Sequence, residues 1–328
     1  MSKHVLVTGG AGYIGSHTCK VLKQKGYIPV CYDNLSRGNR HAVKYGPFEE
    51  GDIADAARIR EVVETYRPIA AIHFAAFAYV GESMDHPDIY YRNNTSGTVA
   101  LLDALRANGV ERIVFSSTCA TYGTPETVPI SETLPQNPIN PYGRSKLFIE
   151  HVLRDYAAAY GMSAVALRYF NAAGCDPDGE IGEEHDPETH LIPLMLEAAR
   201  TQDPDRKLTV FGDDHPTPDG TCIRDYIHVM DLAAAHVQAL DLMEAEPGFH
   251  VLNLGTGQGL SILELIQATK RITNREVPYV MGPRRAGDPS ELVADPSLAR
   301  QKLGWTPEMS DMDTLLRTAW TWLTRNDG

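Results

Sequence analysis

Positive charge is scarce in this 328-residue chain: 30 Lys and Arg stand against 43 Asp and Glu, a net charge of −13. A surface so acidic argues against nucleic acid and anionic membranes as partners. An anionic ligand would have to be held by a few local cations or by helix N-termini. Paired cysteines are missing too. Cys19, Cys31, Cys119, Cys175 and Cys222 are scattered, odd in number and form no CxxC pair. That pattern fits a reducing cytoplasm and not a disulfide framework. The opening "MSKHVLVTGG" has no apolar stretch of signal-peptide length. The longest apolar run, "IAAIHFAAFAYV" (69–80), is too short to span a bilayer, so no membrane role is expected. There is no internal repeat and no low-complexity tract.

What is present is an ordinary globular composition, 43% hydrophobic and 22% charged, in a chain long enough for two lobes. The first half alternates strand-like and helical patterns. Strands are expected at His4–Thr8, Tyr27–Asp33, "PFEEGDI" (47–53), Ile69–Phe74, Arg112–Ser116 and Ser163–Arg168. Helices are expected at Tyr13–Lys25, ended by Gly26, at Asp55–Tyr66, at about His86–Ala107, and from Pro141, capped by Asn140, to about Tyr160. Such alternation predicts an α/β fold, a doubly wound, Rossmann-like parallel sheet with helices on both faces. From Asn171 to Thr221 the chain is rich in Pro, Asp and Gly, with one helix near Leu191–Thr201. "VLNLGTG" reads as one more strand, followed by a helix from Ser261. The expected division is residues 1–170, with a return segment near 225–255, and a smaller C-terminal α/β substrate-binding lobe over 171–328.

The turn "VTGGAGYIGS" carries the most specific local signal. Gly10, Gly12 and Gly15 fit GxGxxG, and Gly9, Gly12 and Gly15 fit GxxGxxG, between the first strand and the first helix. Glycines there let the backbone approach a pyrophosphate, which the helix N-terminus attracts. Asp33 ends the second strand, 18 residues after Gly15. Its carboxylate would accept from ribose hydroxyls and repel a 2′-phosphate, which favours NAD. Arg37, four residues on, is a cation that would suit NADP instead. Asp52 follows the third strand and is placed to meet an adenine edge.

"PYGRSK" sets Tyr142 and Lys146 four residues apart, neighbours on one helix face. The preceding strand ends in "FSSTCATYG", so Thr118 reaches the same ligand-binding rim. A buried ammonium beside a phenol should lower the tyrosine pKa toward neutrality and make it an acid–base group.

"TGGAGYIG", "FAAFAYVGES", "SSTCATYG", "PYGRSK", "LRYFNAAG", "DGTCIRDYIHV" and "RRAGD" occur in order between residues 8 and 288. Together they resemble the extended short-chain dehydrogenase/reductases and, within them, the UDP-glucose 4-epimerases. The resemblance implies tightly bound NAD and a tyrosine that takes the sugar 4-hydroxyl proton while hydride leaves C4. A 4-keto sugar then turns over, and hydride returns to its other face. The catalytic set falls on Tyr142, Lys146 and Thr118. The implied cofactor contacts are Tyr13, Ile14, Asp33, Asn34, Asp52, Ile53, Phe74, Ala75, Asn93 and Phe170, beside Gly9, Gly12, Gly15, Tyr142 and Lys146. Related dehydratases carry Asp-Glu after the threonine, whereas here Cys119 and Ala120 follow Thr118. That leaves reversible oxidation at one carbon.

For the UDP-sugar, the resemblance implies that Arg224, Arg285 and Asn171 contact the diphosphate. Leu191 and Phe211 would flank the uracil, Asp288 would reach the ribose, and Thr118 and Tyr142 would meet the sugar. The hexose gate falls on Leu292, intermediate in size, which implies good use of unsubstituted sugars and weak use of N-acetylated ones. Ala78 stands where some members have a lysine. Other readings are a UDP-xylose/UDP-arabinose 4-epimerase, a net NAD-dependent sugar-nucleotide oxidoreductase, or a binding protein on the same fold. A homodimer through the helices near 86–107 and 141–160 is implied as well. In "EEHDPETH" (Glu183–His190), His185 and His190 are five apart without HExxH spacing. A loop whose Thr189 caps the next helix is expected there, and no metal. His73 and His228 read as structural.

Overall fold

The structure, a computed structural model, describes residues 3–203, 205–285 and 288–327. It opens with β1 (His4–Thr8), α1 (Tyr13–Gln24), β2 (Ile28–Asp33), β3 (Phe48–Glu50), α2 (Ala56–Tyr66) and β4 (Ala70–His73). Short helices α3 (Val80–Asp85) and α4 (Pro87–Tyr90) precede α5 (Thr98–Ala107). Then come β5 (Arg112–Thr118), α6 (Pro141–Tyr160), β6 (Ser163–Tyr169), β7 (Asn171–Ala173), α7 (Leu191–Thr201) and β8 (Leu208–Phe211). The last part holds β9 (Ile223–His228), α8 (Val229–Ala245), β10 (Phe249–Leu254), β11 (Gly259–Ser261), α9 (Ile262–Thr273), β12 (Tyr279–Gly282) and β13 (Glu291–Leu292). Helices α10 (Ser297–Leu303) and α11 (Met312–Leu323) close it.

Seven strands form one parallel sheet in the order β10-β6-β5-β4-β1-β2-β3. Side chains alternate across it. Val5 and Val7 of β1 face a core with Leu22 of α1 and Leu232 and Leu240 of α8. Leu6 faces the other core, with Ile59 of α2, Leu101 and Leu105 of α5 and Ile149 of α6. Burial on both faces is why the strands read as unbroken apolar runs. The doubly wound Rossmann-like fold expected from the sequence is what forms. Its winding reverses between β1 and β4, so the loops leaving those strands part and open a crevice.

After β6 the chain builds a second, smaller layer. Strands β7, β9, β11 and β13 form one sheet, and β8 pairs with β12. Helices α7, α9 and α11 cover them around Ile192, Met195, Leu265, Leu315 and Trp322. The chain also returns, since α8 packs in the core beside α1 and β10 adds the seventh strand of the large sheet.

Local differences from expectation have physical causes. The third strand is Phe48–Glu50 alone, because only Cys31–Asp33 of β2 pair with it. The helix expected over 86–107 contains a π-helical stretch, Tyr91–Gly97. Buried Asn94 lies in that stretch, donating to Phe77 O at 2.9 Å and accepting from Phe77 N at 2.9 Å. The wider turn thereby pins the loop after β4. His190, not Thr189, is the N-cap of α7 and makes no side-chain capping bond. Glu188 instead accepts from Thr189 N at 2.7 Å and His190 N at 2.8 Å. His73 bonds Thr8 Oγ1 at 2.6 Å and Thr98 Oγ1 at 2.8 Å, and His228 caps α8 by accepting from Met230 N. Among the described residues no helix is long and apolar enough to cross a membrane.

Candidate active site

The crevice is a cleft of about 1040 Å³ along the carboxyl ends of the strands, between the large sheet and the second layer. Its floor begins at the glycine turn. Gly9 has φ +73°, and a Cβ there would lie 2.5 Å from Ala75 N. A Cβ at Gly15 would lie 2.2 Å from Gly9 O. These glycines are therefore required by close backbone packing. The turn delivers the first N–H groups of α1, which have no helical carbonyl to donate to, into the cleft.

Asp33 is buried at the end of β2 and accepts from Ala11 N at 3.0 Å and Leu35 N at 2.8 Å. Burial pushes its pKa up, and the two N–H bonds pull it back in part. Arg37 donates to Glu82 at 2.5 Å and lies over the rings of Phe77 and Tyr79 at 5.3 and 5.2 Å. Its charge is thus already matched, which removes it as a ready partner for a 2′-phosphate. Asn34, Ile53, Phe74, Ala75, Asn93 and Phe170 all line the cleft. Asp52 does not: its carboxylate turns to Asn34 Nδ2 at 2.8 Å and Ala54 N at 2.9 Å.

Three elements converge on the rim above. Thr118 ends β5, Tyr169 ends β6, and Tyr142 is the second residue of α6. That helix starts where it does because Asn140 accepts from Gly143 N at 2.8 Å and Pro141 occupies the first turn. Thr118, Tyr142 and Lys146 are all buried. Lys146 Nζ donates to Ser116 O at 2.8 Å and lies 4.9 Å from the Phe115 ring centroid and 6.0 Å from that of Tyr142. Burial lowers its pKa to about 7. The Tyr142 phenol does not shift down as the sequence reading expected. Burial first, and Tyr169 beside it, raise its pKa well above the usual value, while the Thr118 hydroxyl works the other way. A Lys146 bonded to a carbonyl and set back from the ring does not outweigh desolvation.

Behind the rim lies a buried charged network that the sequence reading missed. Arg168 of β6 donates to both oxygens of Glu150 of α6, at 2.9 and 2.6 Å. Ser117 of β5 donates to Glu150 at 2.6 Å. The network ties together the three elements that carry Thr118, Tyr142 and Tyr169. A charged residue in each of two apolar segments, "VALRYF" and "LFIEHV", was the signal available.

In the second layer, Asn171, Leu191, Phe211, Arg224, Arg285, Asp288 and Leu292 all reach the cleft, and Ala78 reaches it from the loop after β4. Arg285 lies over Phe211 at 5.0 Å. Asp288, expected at a ribose, accepts from Arg224 at 2.6 Å and Arg285 at 3.1 Å, so it orients both guanidinium groups. Ala286 and Gly287 of "RRAGD" lie outside the described residues.

Residues 5–255 match the NAD dependent epimerase/dehydratase family. The chain belongs to that family. A UDP-glucose 4-epimerase of Rhizobium leguminosarum bv. trifolii is 52% identical over 318 residues, 97% of this chain and 96% of the relative. The structure of UDP-glucose 4-epimerase from Brucella ovis in complex with NAD is similar at TM-score 0.94 and 58% identity, covering 97% of this chain and 98% of that one. A UDP-glucose-4-epimerase from Stenotrophomonas maltophila with bound NAD and formylated UDP-arabinopyranose reaches TM-score 0.95 at 41% identity, with 99% of both chains covered.

Against this NAD dependent epimerase/dehydratase fold, the cleft gathers the sequence-derived site residues except Asp52. It adds Tyr169, whose hydroxyl is 2.6 Å from Ser116 Oγ, and the Glu183–His190 loop. "LRYFNAAG" had marked the segment of Tyr169, but nothing in the spacing said which side chain would point to the rim.

Proposed function

We propose that this protein interconverts UDP-sugars epimeric at C4, UDP-glucose and UDP-galactose first among them, with NAD held on the glycine-turn side of the cleft. The observation that carries this reading is the trio Thr118, Tyr142 and Lys146 on a rim where Thr118 is followed by Cys119 and Ala120. No acid–base group follows Thr118 directly to remove a second, carbon-bound proton. The family membership and the epimerase relatives support the same chemistry.

The cleft fits a dinucleotide. Gly9, Gly12 and Gly15 leave backbone room for a pyrophosphate, and Tyr13 and Ile14 bring the first-turn N–H groups of α1 to it. Asp33 offers its carboxylate to the adenosine ribose, with Asn34, Ile53, Phe74, Ala75, Asn93 and Phe170 as walls. When bound, NAD supplies the acceptor and donor of hydrogen at C4, and a positive charge beside the phenol. Tyr142 takes the 4-hydroxyl proton and later returns it. Lys146 supplies the chain's own cation for the phenolate, and Thr118 holds the same sugar oxygen. Arg224 and Arg285, oriented by Asp288, grip the diphosphate with Asn171. Leu191 and Phe211 enclose the uracil. Leu292, packed against the cluster of Tyr122, Ile130, Phe170 and Ala294, limits room at the hexose.

In this reading residues 1–170, with the return near 225–255, hold NAD, and residues 171–328 hold the UDP-sugar. A homodimer through α6 and the helices before it is supported by exposed Phe148, Tyr91 and Met84; a monomeric mass in light scattering would refute it. All five cysteines are free, which suits a reducing cytoplasm.

The test is incubation with UDP-galactose, UDP-xylose and UDP-N-acetylglucosamine without added NAD. UDP-glucose should form from UDP-galactose with no net NADH, and the N-acetylated sugar should turn over weakly. Faster turnover of UDP-xylose would move the substrate to pentoses. Stoichiometric NADH would make the protein a net oxidoreductase.

A further inference from the structure

Two groups of acidic and imidazole side chains lie apart from the catalytic rim. In the first, Asp176, Asp178 and Glu180 surround the Lys20 ammonium at 2.7, 2.6 and 3.0 Å, so a cation of the chain already fills it. The second is met by imidazoles alone, and a metal would have to displace the proton that Glu183 and Glu188 hold on His185. Among the described residues, neither Glu183 nor Glu188 forms an ion pair with Lys or Arg.

Its geometry is specific. His185 Nδ1 lies 3.3 Å from Glu183 Oε1 and 3.3 Å from Glu188 Oε2. His190 Nδ1 lies 3.2 Å from the same Glu183 oxygen and 2.8 Å from Glu188 Oε1. Each Nδ1 therefore faces two carboxylates, while one imidazole nitrogen carries at most one hydrogen. One ligand atom from each of the four groups can be chosen so that all lie within 4.8 Å of one another, with Glu188 offering a different oxygen to each histidine. A tetrahedron with zinc–ligand bonds of 2.0–2.2 Å has edges of about 3.3–3.6 Å; three of the four nitrogen–oxygen distances are near that, and a small shift of the Glu188 carboxylate would complete the set.

We propose that Glu183, His185, Glu188 and His190 bind one divalent transition-metal ion of zinc's coordination chemistry. Two carboxylates and two neutral imidazoles would leave the site uncharged with a dication bound. Imidazole donors favour zinc over magnesium or calcium. Four protein ligands make the site closed and structural. The second sphere is in place: Glu188 also accepts from Thr189 N and His190 N. The edge-on rings of Tyr13 and Tyr79 pack against His185 at 6.0 Å each, and Tyr79 also lies 6.1 Å from His190. The ion would cross-link the loop before α7 to itself and so fix Leu191, the first residue of α7, at the cleft wall. The spacing without HExxH had argued against a metal, because half of the ligand set is glutamate brought in by the loop's fold. Metal binding at this loop is independent of the sugar chemistry.

The test uses the full chain with its NAD retained, stripped with EDTA and titrated with Zn(II) and, separately, Co(II). The expected result is one Zn(II) per chain by elemental analysis, the intense visible bands of tetrahedral Co(II), and a higher melting temperature. The double variant His185→Ala/His190→Ala should lose all three while keeping NAD. Absence of stoichiometric binding to the wild-type chain overturns the proposal, as does unchanged binding in the double variant. If that variant does not fold, Glu188→Gln decides: weakened Zn(II) binding with altered Co(II) bands supports the site, and unchanged binding removes it.

Discussion

At the residue scale, the proposed mechanism turns on a phenol whose pKa burial raises. Desolvation disfavours the charged form, so phenolate forms only where cationic charge is close. Lys146 lies 6.0 Å from the ring and is itself lowered to about 7. The apolar walls that depress the ammonium also make each nearby charge count for more. Tyr142→Phe should therefore lower kcat by about 10²–10⁴-fold while NAD stays bound, measured by turnover and by cofactor released on denaturation. Near-normal turnover would remove Tyr142 from proton transfer. The sequence showed which groups sit together, but the direction of the phenol's shift depends on burial and on where Lys146 points, which spacing does not encode.

At the scale of elements, the glycine turn and the rim are held by different physics. The turn needs the absence of atoms. Gly15→Ala would set a methyl 2.2 Å from Gly9 O, so the purified variant should lose NAD, seen as a lost absorbance contribution and lower melting temperature. Full NAD occupancy would contradict this account of the turn. The rim needs matched charge. Glu150→Ala would strand the buried Arg168 guanidinium and cost about 3–5 kcal/mol, readable in urea unfolding; a loss under 1 kcal/mol would show that water or a neighbour takes over. β1 and α6 were legible to the residue because a local pattern and a terminal signal agree there, and α7 from its apolar pattern alone. The π-helical stretch at Tyr91–Gly97 was not, since it answers to Asn94 gripping Phe77, a tertiary contact. The Thr189 cap failed similarly, because Glu188 reaches the backbone groups before α7.

At the scale of the whole molecule, burial of neutral histidines sets the acid limit. His17 and His73 are lowered to about 3, and His228 and His236 to about 4, in each case chiefly by burial. The unfolded chain protonates them near 6.5, whereas the folded chain does not until the lower values. Their neutral form therefore matches the fold fully above pH 6.5, and stability is lost as pH falls from there toward about 4. Each contributes up to about 1.4 kcal/mol per pH unit. Melting temperature should fall steadily across that window; a flat profile from pH 7 to 4.5 would contradict it. In the proposed reaction one carbon is oxidised and reduced within the site, with no second, carbon-bound proton exchanged. UDP-galactose incubated with the purified protein in D₂O, without added NAD, tests it most directly. UDP-glucose should form with its original hydrogen at C4, no deuterium on carbon and no NADH accumulation. Deuterium at C4 or at a neighbouring carbon, or NADH in proportion to product, would contradict it.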